Sequence, residues 1–204
     1  MDLGAAGADQ GLATQQQRLL LRLAARHRLR SLVHARGRCF SASLDLALDA
    51  HKRGVAVTLL RWRVTGQDDF VDHWAVRFDP ERALDLSSVQ FDPAGRLLQP
   101  IRMYPAQFLD CREYPASLFL PTYARVALHR RGRLPLTFLS MVCTAMWRHD
   151  VGAALRRLGL REAAEVSLRF VARRLVLGIE RWRRKLERRE RRLRGEPSSG
   201  QTVL

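Results

Sequence analysis

Cys39, His73 and Asp85 are the residues whose types and order could carry nucleophilic chemistry. Cys39 follows Gly37-Arg38 and directly precedes an amphipathic segment, which puts its sulfur at a helix N-terminus. Unpaired backbone N–H groups there favour a thiolate and can hold the oxyanion of an acyl transfer. His73 opens the run HWAVRF behind an acidic loop, 34 residues after Cys39. An imidazole on a strand packed against the cysteine helix can take the thiol proton and later protonate a leaving group. Asp85 lies 12 residues further, in the run ALDLSSVQF. Two strands joined by a short turn would set that carboxylate beside His73, fixing the imidazole tautomer and stabilising its charged form. Each residue alone also reads as structure: a small buried thiol, a strand-edge histidine, a loop ion pair. Only their combination points to chemistry.

The remaining candidates are thinner. Three cysteines without CxxC spacing suggest neither a disulfide framework nor a zinc knuckle, and they suit a reducing compartment. Cys111 and Cys143 lack a histidine context and read as packing residues. Asp45 and His51 fall on the cysteine helix without a partner at metal-ligand spacing, so a solvated face explains them. The sequence contains no GxGxxG, Walker-type loop, HExxH or EF-hand pattern. Neither a cofactor nor a metal is expected.

The segment GRCFSASLDLALDAHKRGV, followed by DHWAV and ALDLSSVQFDP, resembles the papain-like and transglutaminase-like superfamily of cysteine enzymes. In its compact bacterial and phage branch a cysteine opens a helix of small and apolar residues. A glycine and a strand follow, then a histidine beside an aromatic, then an aspartate in the next strand. The resemblance covers residues 37 to 93. It implies Cys39 as nucleophile, His73 as general base and Asp85 as orienting acid, with Trp74 as support. The ending from Asp85 through Gln90-Phe91-Asp92 is similar to that of some phage and toxin-associated members. Classical papain-type proteases carry a glutamine shortly before the cysteine; SLVHARGR, residues 31 to 38, has none, and the nearest is Gln17. Gln90 and His34 are the candidates for the second oxyanion donor. The implied chemistry is a thioacyl intermediate in a protease, deamidase or acyl transferase acting on a protein or peptide.

The elements that must position these residues read as an α+β fold, a cysteine helix packed on a small antiparallel sheet with added N- and C-terminal helices. Residues 1–14 read as a disordered leader, and a helix is predicted from Gln15 to His34. Phe40, Leu44, Ala47 and Leu48 mark one face of a helix that Gly54 ends. Strands are predicted at Val55–Val64, His73–Phe78 and Ala83–Phe91. The proline-rich stretch 93–135 reads as irregular chain completing a domain of residues 15–135. Residues 136–194 read as a helical C-terminal region, with a buried apolar helix over Leu134–Trp147, an N-cap at Asp150 and a long basic amphipathic helix to Arg194. Residues 195–204 read as a disordered tail.

Charge supplies the competing function. The chain has a net charge of +16, and residues 147–204 hold sixteen basic and seven acidic groups. A non-catalytic protein could grip nucleic acid or an acidic partner with such helices. Against nucleic acid, Glu162, Glu165, Glu180, Glu187 and Glu190 interrupt the arginines, and the aromatics form no stacking platform. Weak nucleic-acid binding is therefore expected, with the C-terminal helix as a docking surface for a protein partner. The start lacks a secretory pattern, and the 14-residue run Leu134–Trp147 falls short of the ~20 a bilayer span needs. The expected location is the cytoplasm, or delivery from it without a signal peptide, as for a toxin or effector.

Overall fold

The computed structural model describes residues 3–65, 70–129 and 134–193. Among them are six α-helices and a five-stranded antiparallel sheet, an α+β arrangement. In chain order these are α1 (Leu3–His27), α2 (Leu32–Ala35), α3 (Cys39–His51), β1 (Thr58–Thr65), β2 (Phe70–Arg77), β3 (Arg82–Leu84), β4 (Leu98–Pro100), β5 (Phe108–Pro115), α4 (Leu120–His129), α5 (Leu136–Leu158) and α6 (Leu160–Leu193). The sheet order is β4-β3-β2-β1-β5, so β2 is central.

α3 exists because small and apolar residues recur every three to four positions. Cys39, Ala42, Ser43, Leu46, Ala47 and Ala50 are all buried. The chain turns into it at Gly37 and out of it at Gly54, whose φ angles of 71° and 74° lie in the left-handed region that favours glycine. β3 pairs with β2 only at Val76 and Arg77, and among the described residues the edge of β2 from Asp72 to Trp74 has no neighbouring strand on that side. α3 takes that place: Cys39 Sγ donates to the Asp72 carbonyl at 3.6 Å and Ser43 Oγ to the Trp74 carbonyl at 3.3 Å. The cysteine's helix is thereby docked on the histidine's strand.

The sheet buries both faces. On one, Trp74 packs against Phe40 of α3, Tyr114 of β5 and Phe119. On the other, Leu60, Trp62, Ala75 and Ala83 form a cluster covered by Ile101 and Tyr104 from the chain between β4 and β5 and by Phe108 at the start of β5. Alternation of side chains puts His73, paired across from Trp62, on this second face.

Several expectations need correction. The leader is helical from Leu3, because its alanines offset three glycines and no proline interrupts it. The helix predicted over Gln15–His34 stops at His27, since Leu29 N–H donates to the Leu86 carbonyl at 2.7 Å and the Arg28 guanidinium bonds the Gly95 carbonyl. Ser31 then caps the short α2. The stretch 93–135 is not irregular: it holds β4, β5 and α4, with Pro100 and Pro115 at strand ends and Pro121 in the first turn of α4. Asp150 is no N-cap but lies inside α5. The apolar run at the start of α5 is buried only at Phe138, Val142 and Met146, while Leu136, Leu139 and Met141 are exposed.

The chain divides into two compact units, Met1–Val142 and Cys143–Leu204, so the boundary falls within α5 and not at residue 135. In the second unit α5 breaks at Gly159, φ 95°, before α6. Trp147 Nε1 donates to Ser167 Oγ at 3.2 Å, tying the two helices. α6 carries exposed Leu168, Val171 and Trp182 beside ion pairs such as Arg183–Glu187. Among the described residues no helix is long and apolar enough to cross a membrane. The tail expected at residues 195–204 lies outside the described residues.

Candidate active site

Cys39 is the first residue of α3 and is buried. Its helix leaves first-turn N–H groups without intrahelical acceptors, the first bond of the helix being Ala42 N–H to the Arg38 carbonyl. His73 reaches the site from the middle of β2 and is buried as well. Phe108 at 5.0 Å, Phe91 at 5.4 Å, and Trp62 and Tyr104 at 6.1 Å surround its ring, measured between centroids. This aromatic wall fixes the imidazole plane and keeps bulk water off it.

Asp85 stands one residue past β3, not within a strand as predicted. Its backbone N–H donates to the Leu97 carbonyl at 2.8 Å. Its carboxylate is fully enclosed and takes four donors. Oδ1 accepts from Ser87 N–H at 2.9 Å and Ser87 Oγ at 3.2 Å. Oδ2 accepts from His73 Nε2 at 2.6 Å and Tyr104 OH at 2.9 Å. A short aspartate-serine turn thus aims the carboxylate, which is the reason the strand ends where it does.

With Nε2 committed to Asp85, Nδ1 is the nitrogen of His73 left for Cys39, whose Sγ lies 3.6 Å from the carbonyl of the preceding residue, Asp72, and near enough to affect the titration of the ring. Burial alone would lower the His73 pKa; the Asp85 charge and hydrogen bond, together with the hydrogen bond and charge of Cys39, outweigh it and raise the value to about 10. At neutral pH the ring is therefore an imidazolium between a carboxylate and a sulfur.

That shift has a consequence for stability. The folded pKa lies above the unfolded value of 6.5, so the stabilisation by His73 is complete below about pH 6.5 and is lost as pH rises toward about 10. Denaturant melts from pH 6 to 10 should show a progressive loss, and His73→Gln should flatten it. An unchanged slope in that variant would mean that another group is responsible.

The other expected residues stand elsewhere. His34 is exposed and bonds Ser31 Oγ through Nδ1 at 2.7 Å, away from the pair. Gln90 Nε2 donates to the Ala35 carbonyl at 2.8 Å, which fastens the turn after Asp85 to the segment before Cys39. Neither amide nor imidazole is aimed as an oxyanion donor. Trp74 points to the opposite sheet face, its ring 4.4 Å from that of Phe40, and supports α3 from behind. Asp92 closes its own turn through Ala94, Arg96 and Gln99; bonds from Arg96 and Gln99 hold its carboxyl down at about 2. Asp45 is not merely solvated, since it accepts Tyr123 OH at 2.6 Å. Cys111 lies on the exposed strand β5 and not in the core, and partial desolvation of its thiol and the nearby Glu113 charge push it up to about 11.

Sequence reasoning missed Ser87, Tyr104 and the aromatic wall. Trp62 sits in a predicted strand, but Tyr104 and Phe108 fall in the stretch without periodicity, where nothing marks them. Among the described residues no group of three or more His, Cys, Asp or Glu is placed to hold a metal ion. No family model matches the chain, and no curated protein or solved structure is significantly similar to it.

Proposed function

We propose that the chain is a cysteine-dependent enzyme of amide or acyl bonds, with residues 37–93 forming the centre of a papain-like or transglutaminase-like core. One observation carries this reading: a buried histidine holds a buried aspartate at 2.6 Å through one nitrogen, and the thiol at the start of α3 lies beside the same strand, 3.6 Å from the Asp72 carbonyl and near enough to affect that ring. A structural ion pair needs no thiol at a helix N-terminus. We read the three groups as a nucleophile, an acid–base group and an orienting acid.

In this mechanism Cys39 reacts as the thiolate of an ion pair with the His73 imidazolium, its proton having passed to Nδ1; the sulfur attacks the carbonyl carbon, and the carbonyl π electrons move to oxygen. The first-turn N–H groups of α3 are the donors within the fold for that oxyanion. His73 passes its Nδ1 proton to the leaving amine as the C–N bond breaks, leaving a thioester on Cys39 and a neutral imidazole. Water or an amine then attacks the thioester and gives its proton to His73. Expulsion of the thiolate restores the starting pair.

The test is capture of the thioester. A p-nitrophenyl acyl ester incubated with the protein and quenched in acid should leave an acyl mass on the peptide containing Cys39. Iodoacetamide near neutral pH should likewise modify Cys39 faster than Cys111 or Cys143, because the thiolate is the reactive form. Equal labelling of all three in the folded protein, with no acyl adduct, would remove the enzyme reading.

A second reading is favoured by α6, where exposed Leu168, Val171 and Trp182 lie on a basic helix suited to a partner. Truncation after Gly178 removes Arg181 through Arg194 and should leave Cys39 labelling unchanged, because α6 belongs to the other compact unit. The intact chain should bind DNA or RNA only weakly, with affinity that falls steeply with salt. Tight binding at physiological salt that survives Cys39→Ala would make the binding function primary.

A further inference from the structure

Tyr104 has no place in the cysteine, histidine and aspartate order, yet it is built into it. Its hydroxyl donates to Asp85 Oδ2 at 2.9 Å, the same oxygen that His73 holds at 2.6 Å. Its ring lies on Trp62, with centroids 4.1 Å apart and planes within 21°, and it also meets Phe91 and Phe108 at 5.3 and 5.4 Å. It stands just after the short 3-10 turn Ile101–Met103, in the chain that crosses the sheet face between β4 and β5. The residue therefore joins that crossing chain to the buried carboxylate.

We propose that Tyr104 is a fourth, positioning member of the site, which acts through Asp85 by sharing the oxygen that His73 binds. The proposal rests on the enzyme reading above and deepens it. The physical case is one of geometry and charge. Ser87 saturates Oδ1, so rotation of the carboxylate is resisted at one oxygen; Tyr104 supplies the second restraint, at the oxygen in contact with the catalytic ring. Burial and the Asp85 charge push the phenol far above its ordinary value, so it remains a protonated donor throughout the working range. Its donation also withdraws charge from Oδ2. Loss of the hydroxyl should leave a carboxylate that is more weakly restrained and that attracts the imidazolium more strongly.

Tyr104→Phe keeps the stack on Trp62 and deletes only the donor, whereas Tyr104→Leu deletes both. Thermal unfolding checks that each variant is folded. Nitrogen-15 spectra of the His73 ring report its titration without any substrate, and iodoacetamide reports the Cys39 sulfur. The expected result in Tyr104→Phe is an upward move of the His73 midpoint from about 10. Turnover of the p-nitrophenyl ester should fall about tenfold, as for one lost hydrogen bond to a charged group, with KM unchanged. A His73 midpoint and a kcat equal to wild type in Tyr104→Phe would overturn the proposal, and so would a loss seen only in Tyr104→Leu. Failure of the underlying enzyme reading looks different: wild type itself would then show no acyl adduct and no preferential Cys39 labelling.

Discussion

Cys39→Ala is expected to abolish acyl-enzyme formation and to lower ester and amide turnover by about 10⁶-fold, the scale set by loss of a nucleophile in a cooperative triad. The change is small for the fold, because the side chain's contact with the Asp72 carbonyl is a long sulfur hydrogen bond of 3.6 Å and alanine suits a buried helix position. The far-ultraviolet spectrum and unfolding midpoint should therefore stay close to wild type. His73 should report the loss directly. The Cys39 hydrogen bond and charge are two of the causes that raise its pKa to about 10, so in Cys39→Ala it should titrate lower. Retention of more than a trace of turnover in the folded variant would assign the nucleophile elsewhere.

The parts of the fold legible in the sequence are those with a strong local period. α3 is marked by its three-to-four spacing and by Gly54, and β1 and β2 by their apolar and β-branched runs. β5 is not marked, for a physical reason. It is an edge strand exposed along most of its length, and it is interrupted opposite Arg61 and Arg63 by a register shift near Asp110, whose φ is +50°. Without one buried face it lacks alternation to read. The run ALDLSSVQF misleads in the opposite direction. Ala83 through Ser88 are buried without a break, as in a core strand, but Asp85 and Ser87 bond each other and turn the chain. The helix break after His27 is set by bonds to Leu86 and Gly95, far away in sequence, against local propensity. The site divides in the same way. Cys39, His73 and Asp85 stand out because their residue types are few and their order is local, whereas Tyr104 acquires its partner only when the chain after β4 folds over the sheet.

Replacing Asp85 by Asn is expected to leave the protein folded and to slow acyl transfer by about 10⁴-fold, the penalty of holding a catalytic histidine in the wrong tautomer. The direction follows from counting donors. Ser87 presents two donors to Oδ1, so the asparagine oxygen will occupy that side and its NH₂ will face His73 and Tyr104. Tyr104 can rotate its hydroxyl to accept. His73 can pair with an NH₂ only by presenting a bare Nε2, which places its proton on Nδ1, facing the sulfur. A ring in that state cannot take the thiol proton, and without the Asp85 charge the burial that lowers its pKa is no longer outweighed. Labelling of Cys39 should slow together with turnover. The double variant His73→Ala/Asp85→Asn should be no slower than His73→Ala alone, because Asp85 acts only through that ring. Multiplying losses in the double variant, or full turnover in Asp85→Asn, would show that the buried pair serves the fold and leaves the chemistry to other residues.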